Sequence, residues 1–184
     1  IKAKHFILIS SIYSELDVNS EYYSIYSLSK KHSEEIAQYY CNKNSIPITI
    51  LQFSSIYGPN DRLRVHQPFF YSMIDMAEKD QNIYLYGTHD PARNYIYIED
   101  LVTITEKVVQ NSVFGKYKCT NTLNVTYAQI AKTAFSVFGL NREVIFLKDK
   151  PNMRDNIFPF DDTLYKKIGY YPNTSLQAGI LQIV

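Results

Sequence analysis

Glycine is scarce in this chain, and its spacing excludes the commonest dinucleotide cradle. The six glycines (Gly58, Gly87, Gly115, Gly139, Gly169, Gly179) never fall closer than ten positions apart, so no G-x-G-x-x-G turn or looser variant can be drawn. Cysteine is rarer still. Cys41 and Cys119 stand alone, with no C-x-x-C pair and no histidine cluster, which supports neither a disulfide framework nor a zinc site and makes a reducing cytoplasm the simplest setting. No apolar run approaches the roughly 20 residues of a membrane span. The N-terminus lacks the basic-then-apolar pattern of an export signal. An excess of one charge is also missing: the formal net charge is +1 with Lys and Arg scattered, which gives no field for a nucleic-acid backbone. Small-molecule chemistry is expected instead, with no nucleic-acid and no membrane partner. Tryptophan is absent against seventeen tyrosines, whose phenyl bodies suit a core and whose hydroxyls suit its rim.

What is present is an ordinary globular composition, 46% apolar and 20% charged over 184 residues, enough to bury a full core. Phe6 to Ile9 reads as a parallel strand covered on both faces. Glu21 to Lys43 has helical spacing (Ile25, Leu28, Ile36, Ala37, Tyr40) with Ser20 as N-cap, and Ile46 to Phe53 reads as a second buried strand. This is a βαβ unit, implying a parallel sheet. Further on, helices are expected at Pro68 to Lys79, Leu101 to Gln110, Tyr127 to Phe138 and Asp162 to Ile168. Strands are expected at Ile83 to Tyr86, Tyr95 to Ile98, Thr122 to Val125 and Val144 to Leu147. The tail, broken by Pro151, Pro159 and Pro172, reads as a binding rim. The first residue is Ile rather than Met and a buried strand follows almost at once, so a longer parent chain is expected.

Tyr26 stands four residues before Lys30, which puts both side chains on one helical face about one turn apart. A free phenol has a pKa near 10, so its use as a base near neutral pH needs the phenolate stabilised by about 4 kcal/mol. A neighbouring ammonium can supply part of that. Tyr39 and Lys43 match the same spacing and read as a half-buried core tyrosine beside a solvated lysine, so the spacing alone is not diagnostic. Its setting is: Ser10-Ser11 closes an apolar strand before it, and Tyr57-Gly58-Pro59 follows the next strand.

These blocks resemble the extended short-chain dehydrogenase/reductase family, the NAD-dependent nucleotide-sugar epimerases and dehydratases. Thr49-Ile-Leu-Gln-Phe-Ser-Ser-Ile-Tyr-Gly-Pro59, Arg93-Asn-Tyr-Ile-Tyr-Ile-Glu-Asp100, Asn121 to Val125 and Ile168-Gly-Tyr-Tyr-Pro172 carry the likeness. It covers the whole chain and begins partway through the usual cofactor domain. The resemblance implies an α/β fold: the C-terminal part of a Rossmann-type parallel sheet with helices on both faces, plus a smaller α+β substrate-binding lobe. The catalytic domain would take residues 1–67, with 94–126 returning to it, and the substrate lobe 68–93 and 127–184. Tyr26 would be the base, Lys30 would favour the phenolate and hold the nicotinamide ribose, and Ser11 would orient the substrate oxygen. Ser10, Phe53 and Ser54 would join Tyr26 and Lys30 around NAD or NADP. Ser55, Arg93 and Arg154 would hold a nucleotide sugar, the two arginines through its phosphates. Relatives of this kind are often dimers, so a homodimer, or association with a missing N-terminal portion, is implied.

Three departures are visible. Gln52 stands where many members carry arginine and Ser55 where many carry asparagine, and Ile12-Tyr13 lacks the acid that dehydration would use. Epimerisation or ketone reduction therefore leads. A non-catalytic remnant that binds nucleotide sugars without holding a dinucleotide, and a reductase of non-sugar ketones, are the alternatives.

Overall fold

The computed structural model describes residues 3–184; Ile1, on which the expectation of a longer parent chain partly rests, lies outside the described residues. In chain order the elements are β1 (Phe6–Ser11), a 3-10 turn (Ile12–Glu15), α1 (Ile25–Lys43), β2 (Ile48–Phe53), β3 (Ser55–Tyr57), α2 (Asp61–His66), α3 (Pro68–Glu78) and β4 (Tyr84–Tyr86). There follow β5 (Ala92–Arg93), β6 (Tyr95–Tyr97), α4 (Ile98–Gln110), β7 (Gly115–Cys119), β8 (Val125–Thr126), α5 (Tyr127–Val137), β9 (Ile145–Leu147), α6 (Thr163–Ile168) and α7 (Leu176–Leu181). The fold is α/β, and the chain divides into two compact units of nearly equal size.

The first unit takes the chain through Ser54, then Asp100–Asn121 and Phe158–Tyr171. Its three-stranded sheet runs in the order β1-β2-β7, all parallel, with Ser10 opposite Gln52 and Ser11 opposite Phe53. The middle strand β2 is buried at every position, its polar Thr49 and Gln52 included. Strand β1 corrects the expectation of cover on both faces: Phe6 and Ile9 are each 40% exposed, and β1 pairs only with β2 among the described residues. Strand β7 was not foreseen, because an outer strand can carry lysines on its solvent side, and Lys116 and Lys118 hide its pattern.

The second unit takes Ser55–Glu99, Thr122–Ile157 and Pro172–Val184. Two-stranded pairs β3-β6 and β4-β9 are parallel and β5-β8 is antiparallel. Helices α3, α5 and α7 close over a core rich in aromatic rings, where Tyr57 meets Phe70, Tyr95 and Tyr97 at centroid separations of 5.0, 6.2 and 5.4 Å. Such tilted and edge-on contacts are the favoured geometry for rings. Gly58 is needed here: a Cβ would lie 2.5 Å from Ile98 Cγ2, and the Tyr71 hydroxyl accepts from Gly58 N at 3.0 Å and donates to Gly58 O at 2.7 Å.

This division corrects the expected boundaries. The chain leaves the first unit at Ser54, not near residue 67, because Ser54 N donates to Cys119 O while Ser55 N donates to Asn94 O. Residues 158–171 belong with the first unit instead of the second. Helix α6 is held there by the Tyr165 hydroxyl, which donates to Thr120 O at 2.6 Å. The second unit is not the smaller one.

Candidate active site

Helix α1 starts later than its apolar spacing suggested. Ser24, not Ser20, is the N-cap, its hydroxyl accepting from Ser27 N, and residues 17–23 form turns because Asp17 and Ser20 bond their own following backbone. Tyr26 therefore sits in the first helical turn and is 51% exposed. Lys30 Nζ stands 5.6 Å from the Tyr26 ring centroid, and the Tyr13 ring meets Tyr26 edge-on at 6.2 Å. The Tyr26 hydroxyl makes no hydrogen bond, and Lys30 no ion pair, among the described residues. Both polar ends are available to a ligand. Tyr39, expected to be half-buried, is 69% exposed.

Ser11 ends β1 and caps the 3-10 turn, its hydroxyl oxygen accepting from Tyr13 N at 3.3 Å. A capping hydroxyl keeps its own proton to donate, which is the property an oxygen-orienting serine requires. Ser10 is differently engaged. Its hydroxyl donates to Glu34 Oε1 at 2.5 Å, so it has no proton left for a cofactor and could only accept.

Glu34 was not singled out by sequence reasoning, yet it is the centre of the polar interior of this unit. Its side chain is 6% exposed. Ser14 Oγ donates to Oε1 at 2.7 Å, Gln52 Nε2 lies 3.1 Å from both carboxylate oxygens, and Lys116 Nζ is 3.5 Å from Oε2. Lys116 also pairs with Glu15 at 2.6 Å. Burial would raise the Glu15 carboxyl, but the Gln52 amide and the Lys116 ammonium outweigh it and hold Glu15 below its ordinary value. Burial would lower the Lys116 ammonium, and the two carboxylates outweigh that and raise it. Two signals could have found the cluster: Gln52 is the one residue of Ile-Thr-Ile-Leu-Gln-Phe able to donate two hydrogen bonds inside a sealed strand, and Glu34 repeats the four-residue step from Lys30. Gln52 thus enters the cluster with a neutral amide, and the positive charge comes from Lys116 on β7.

At the end of β2, Phe53 is 1% exposed, so it offers a cofactor no side-chain surface, and any contact must come from its backbone. Ser54 follows with a buried hydroxyl that has no partner among the described residues. A buried hydroxyl without a partner costs about 1–3 kcal/mol, and this one lies at the carboxyl end of the middle strand, the end at which open parallel sheets take ligands.

In the second unit, Ser55 is half-buried and pairs opposite Tyr95. Arg93 lies over the Tyr127 ring at 4.6 Å, with Nε donating to Tyr127 Oη at 2.9 Å and Nη1 donating to the carbonyls of Ala92 and Arg154. The two N–H groups of Nη2 make no hydrogen bond among the described residues, and a guanidinium edge of that kind suits a phosphate oxygen. The loop before Arg93 is gripped by Asn152 and Asp155. Asn152 Oδ1 accepts from Thr88 N and His89 N, and Asp155 Oδ1 from Ala92 N and His89 Nε2. Gly87, at φ +83°, leaves room for Asn152, whose Oδ1 would lie 2.1 Å from any Cβ. Arg154 is exposed, and its carbonyl is what ties it to Arg93. The structure thus collects Ser10, Ser11, Tyr26, Lys30, Phe53 and Ser54 in the first unit, and Ser55, Arg93 and Arg154 in the second.

Residues 2–124 match the model of the NAD dependent epimerase/dehydratase family. The chain is 24% identical over 190 residues to CDP-abequose synthase of Salmonella typhimurium, covering 100% of this chain and 62% of that protein. It is 28% identical to UDP-glucuronate 4-epimerase 6 of Arabidopsis thaliana, covering 88% of this chain and 38% of the relative. Among solved structures, UDP-glucuronic acid 4-epimerase from Bacillus cereus in complex with NAD superposes with a TM-score of 0.76 at 23% identity, over 99% of this chain and 60% of that one. The chain thus spans no more than about 62% of the length of these relatives. With the family match covering most of its length and the same fold in solved relatives, the chain belongs to the NAD-dependent epimerase/dehydratase family.

Proposed function

We propose that this chain forms the catalytic part of an NAD(P)-dependent epimerase or ketoreductase acting on a nucleotide-linked sugar. The observation that carries the reading is the disposition of Tyr26, Lys30 and Ser11: an unbonded phenol with an ammonium at its ring, in the same unit as a capping serine that keeps its proton. Lys30 favours the phenolate form of Tyr26, which takes the proton of a sugar hydroxyl and becomes the neutral phenol, while Ser11 holds that oxygen. NAD or NADP, when bound, supplies the hydride acceptor and donor. The residues fit its nicotinamide half, since Ser54 Oγ is a buried hydroxyl in want of a partner and Lys30 is an ammonium in want of one. Arg93 offers its free guanidinium edge to the sugar-nucleotide phosphates, with Arg154 beside it and Ser55 contributing a hydroxyl. In the full-length protein, Tyr26→Phe should lower turnover of nucleotide sugars by about 10²–10⁴-fold while NAD binding, read by fluorescence titration, stays within about twofold. Activity near that of the unmodified protein would refute the role of Tyr26.

One observation favours a second reading, a sugar-nucleotide-binding module without its own dinucleotide site: the outer edge of β1, with Phe6 and Ile9 exposed. NAD binding by the 184-residue chain alone would overturn it. Helix α1 also exposes Ile25, Ile36, Tyr39 and Tyr40, and we assign this stripe to a homodimer contact. Sedimentation of the full-length protein as a monomer at micromolar concentration would remove that assignment.

A further inference from the structure

We infer that Glu34 is a positioning residue: its buried carboxylate pins the helix that carries Tyr26 and Lys30 to the strand end that carries Ser11, with Lys116 as its counter-ion. This rests on the reaction reading above and goes beyond it, because Glu34 touches neither reacting group. Four elements converge on this one carboxylate. Ser10, immediately before Ser11, reaches it from the end of β1, Ser14 from the 3-10 turn, Gln52 from the end of β2 and Lys116 from β7. On α1 the residue lies one turn beyond Lys30 and two beyond Tyr26, on the same side of the helix.

The chemistry asks for such a pin. Tyr26 and Ser11 sit on different elements, and proton transfer requires both to reach one substrate oxygen within hydrogen-bond range. The helix carries its base near its free N-terminal end, after a run of turns at residues 17–23, so sequence-local structure does little to hold it. A misplacement of about 1 Å costs on the order of 10²-fold in rate. The carboxylate binds Ser10 and Ser14 through the same oxygen, which makes Glu34 a joint between the serine-bearing segment and the helix. Hydrogen bonds to a carboxylate acceptor are short and strong, and Gln52, being neutral, leaves Lys116 as the cation within 4 Å of this buried carboxylate among the described residues.

The test uses the full-length protein with NAD and its nucleotide sugar, and reads kcat and KM separately. Glu34→Gln keeps the shape and turns one acceptor oxygen into a donor that faces the Gln52 amide. It should lower kcat about 10- to 100-fold with KM for the sugar and the Kd for NAD within about twofold, since no binding group is removed. Lys116→Met, which keeps the aliphatic stem and removes the charge, should lower kcat about fivefold, the loss expected from weakening a close pairing. Lys116→Arg should restore it, and Lys116→Met should add little in the Glu34→Gln background. Circular dichroism and melting temperature accompany each variant. If Glu34→Gln only lowers the melting temperature and leaves kcat unchanged, or if Lys116→Met acts equally in both backgrounds, the positioning role is overturned while the Tyr26 reading stands. If Tyr26→Phe is itself fully active, the reaction reading fails, whatever Glu34 does.

Discussion

Replacing Tyr71 by Phe removes one oxygen atom, and the structure sets what that atom is worth. Tyr71 lies on α3 and is buried; its hydroxyl accepts from Gly58 N and donates to Gly58 O, bridging the two peptide groups that flank the Gly58 Cα. Gly58 O has a second donor, Asn60 N at 2.9 Å, so in Tyr71→Phe the carbonyl keeps a partner and the amide loses its own. An orphaned buried donor costs about 1–3 kcal/mol and a lost neutral hydrogen bond about 0.5–1.5 kcal/mol. Against this, Phe no longer has to bury a hydroxyl, which returns about 1 kcal/mol. The net expectation is a loss of about 2 kcal/mol, or roughly 4–8 °C in melting temperature for a chain of this length. Urea denaturation followed by circular dichroism should show a lower midpoint with an unchanged m-value. A change below about 0.5 kcal/mol, the range of ordinary surface substitutions, would show that Gly58 is not held by Tyr71.

Two further outcomes are expected. Burial raises the Tyr71 and Tyr165 phenols, and burial with the Asp100 hydrogen bond pushes Tyr170 up to about 12. Above a pH of about 10, the free phenol value, the unfolded chain releases protons that the folded chain keeps, so stability falls as pH rises; urea midpoints should decline steadily from pH 10 to 12, and a flat profile there would contradict the assigned burial. Arg93→Lys removes the planar fork that spans Tyr127 Oη and two carbonyls. It should weaken binding of nucleoside diphosphates to the full-length protein by about tenfold, the effect of one charge-assisted hydrogen bond, and equal affinity by calorimetry would remove Arg93 from the phosphate site.

The parts legible from sequence were those whose pattern is local. Strand β2 is mostly apolar, with Ile48, Ile50, Leu51 and Phe53, because both its faces are covered, and α5 shows its capping box, Thr126 with Gln129, directly in the letters. Tyr26, Lys30 and Ser11 stand out as candidates because two short motifs in fixed order frame them. Glu34 was not, since a glutamate on a helix between His32-Ser33 and Glu35 looks solvated until distant segments fold over it, and its partners Ser10, Gln52 and Lys116 are remote in sequence. Strand β7 failed for the same reason: Lys116 looks like a surface residue, yet its ammonium reaches the buried Glu34. Helix α7 was missed because its six residues follow a proline-broken tail and include Gly179, whose lack of a side chain admits the Tyr57 ring.

The chain passes between its two units at residues 54/55, 99/100, 121/122, 157/158 and 171/172. On the ribosome, where domains ordinarily finish one after another, neither unit here can be completed early: the first awaits α6 and the second awaits α7. Half-made chains must therefore wait with β2 lacking its β7 neighbour, a stage at which unpaired strand edges invite aggregation. For the same reason no single cleavage or gene split yields either unit intact, and shuffling these units between relatives would have to exchange several segments at once.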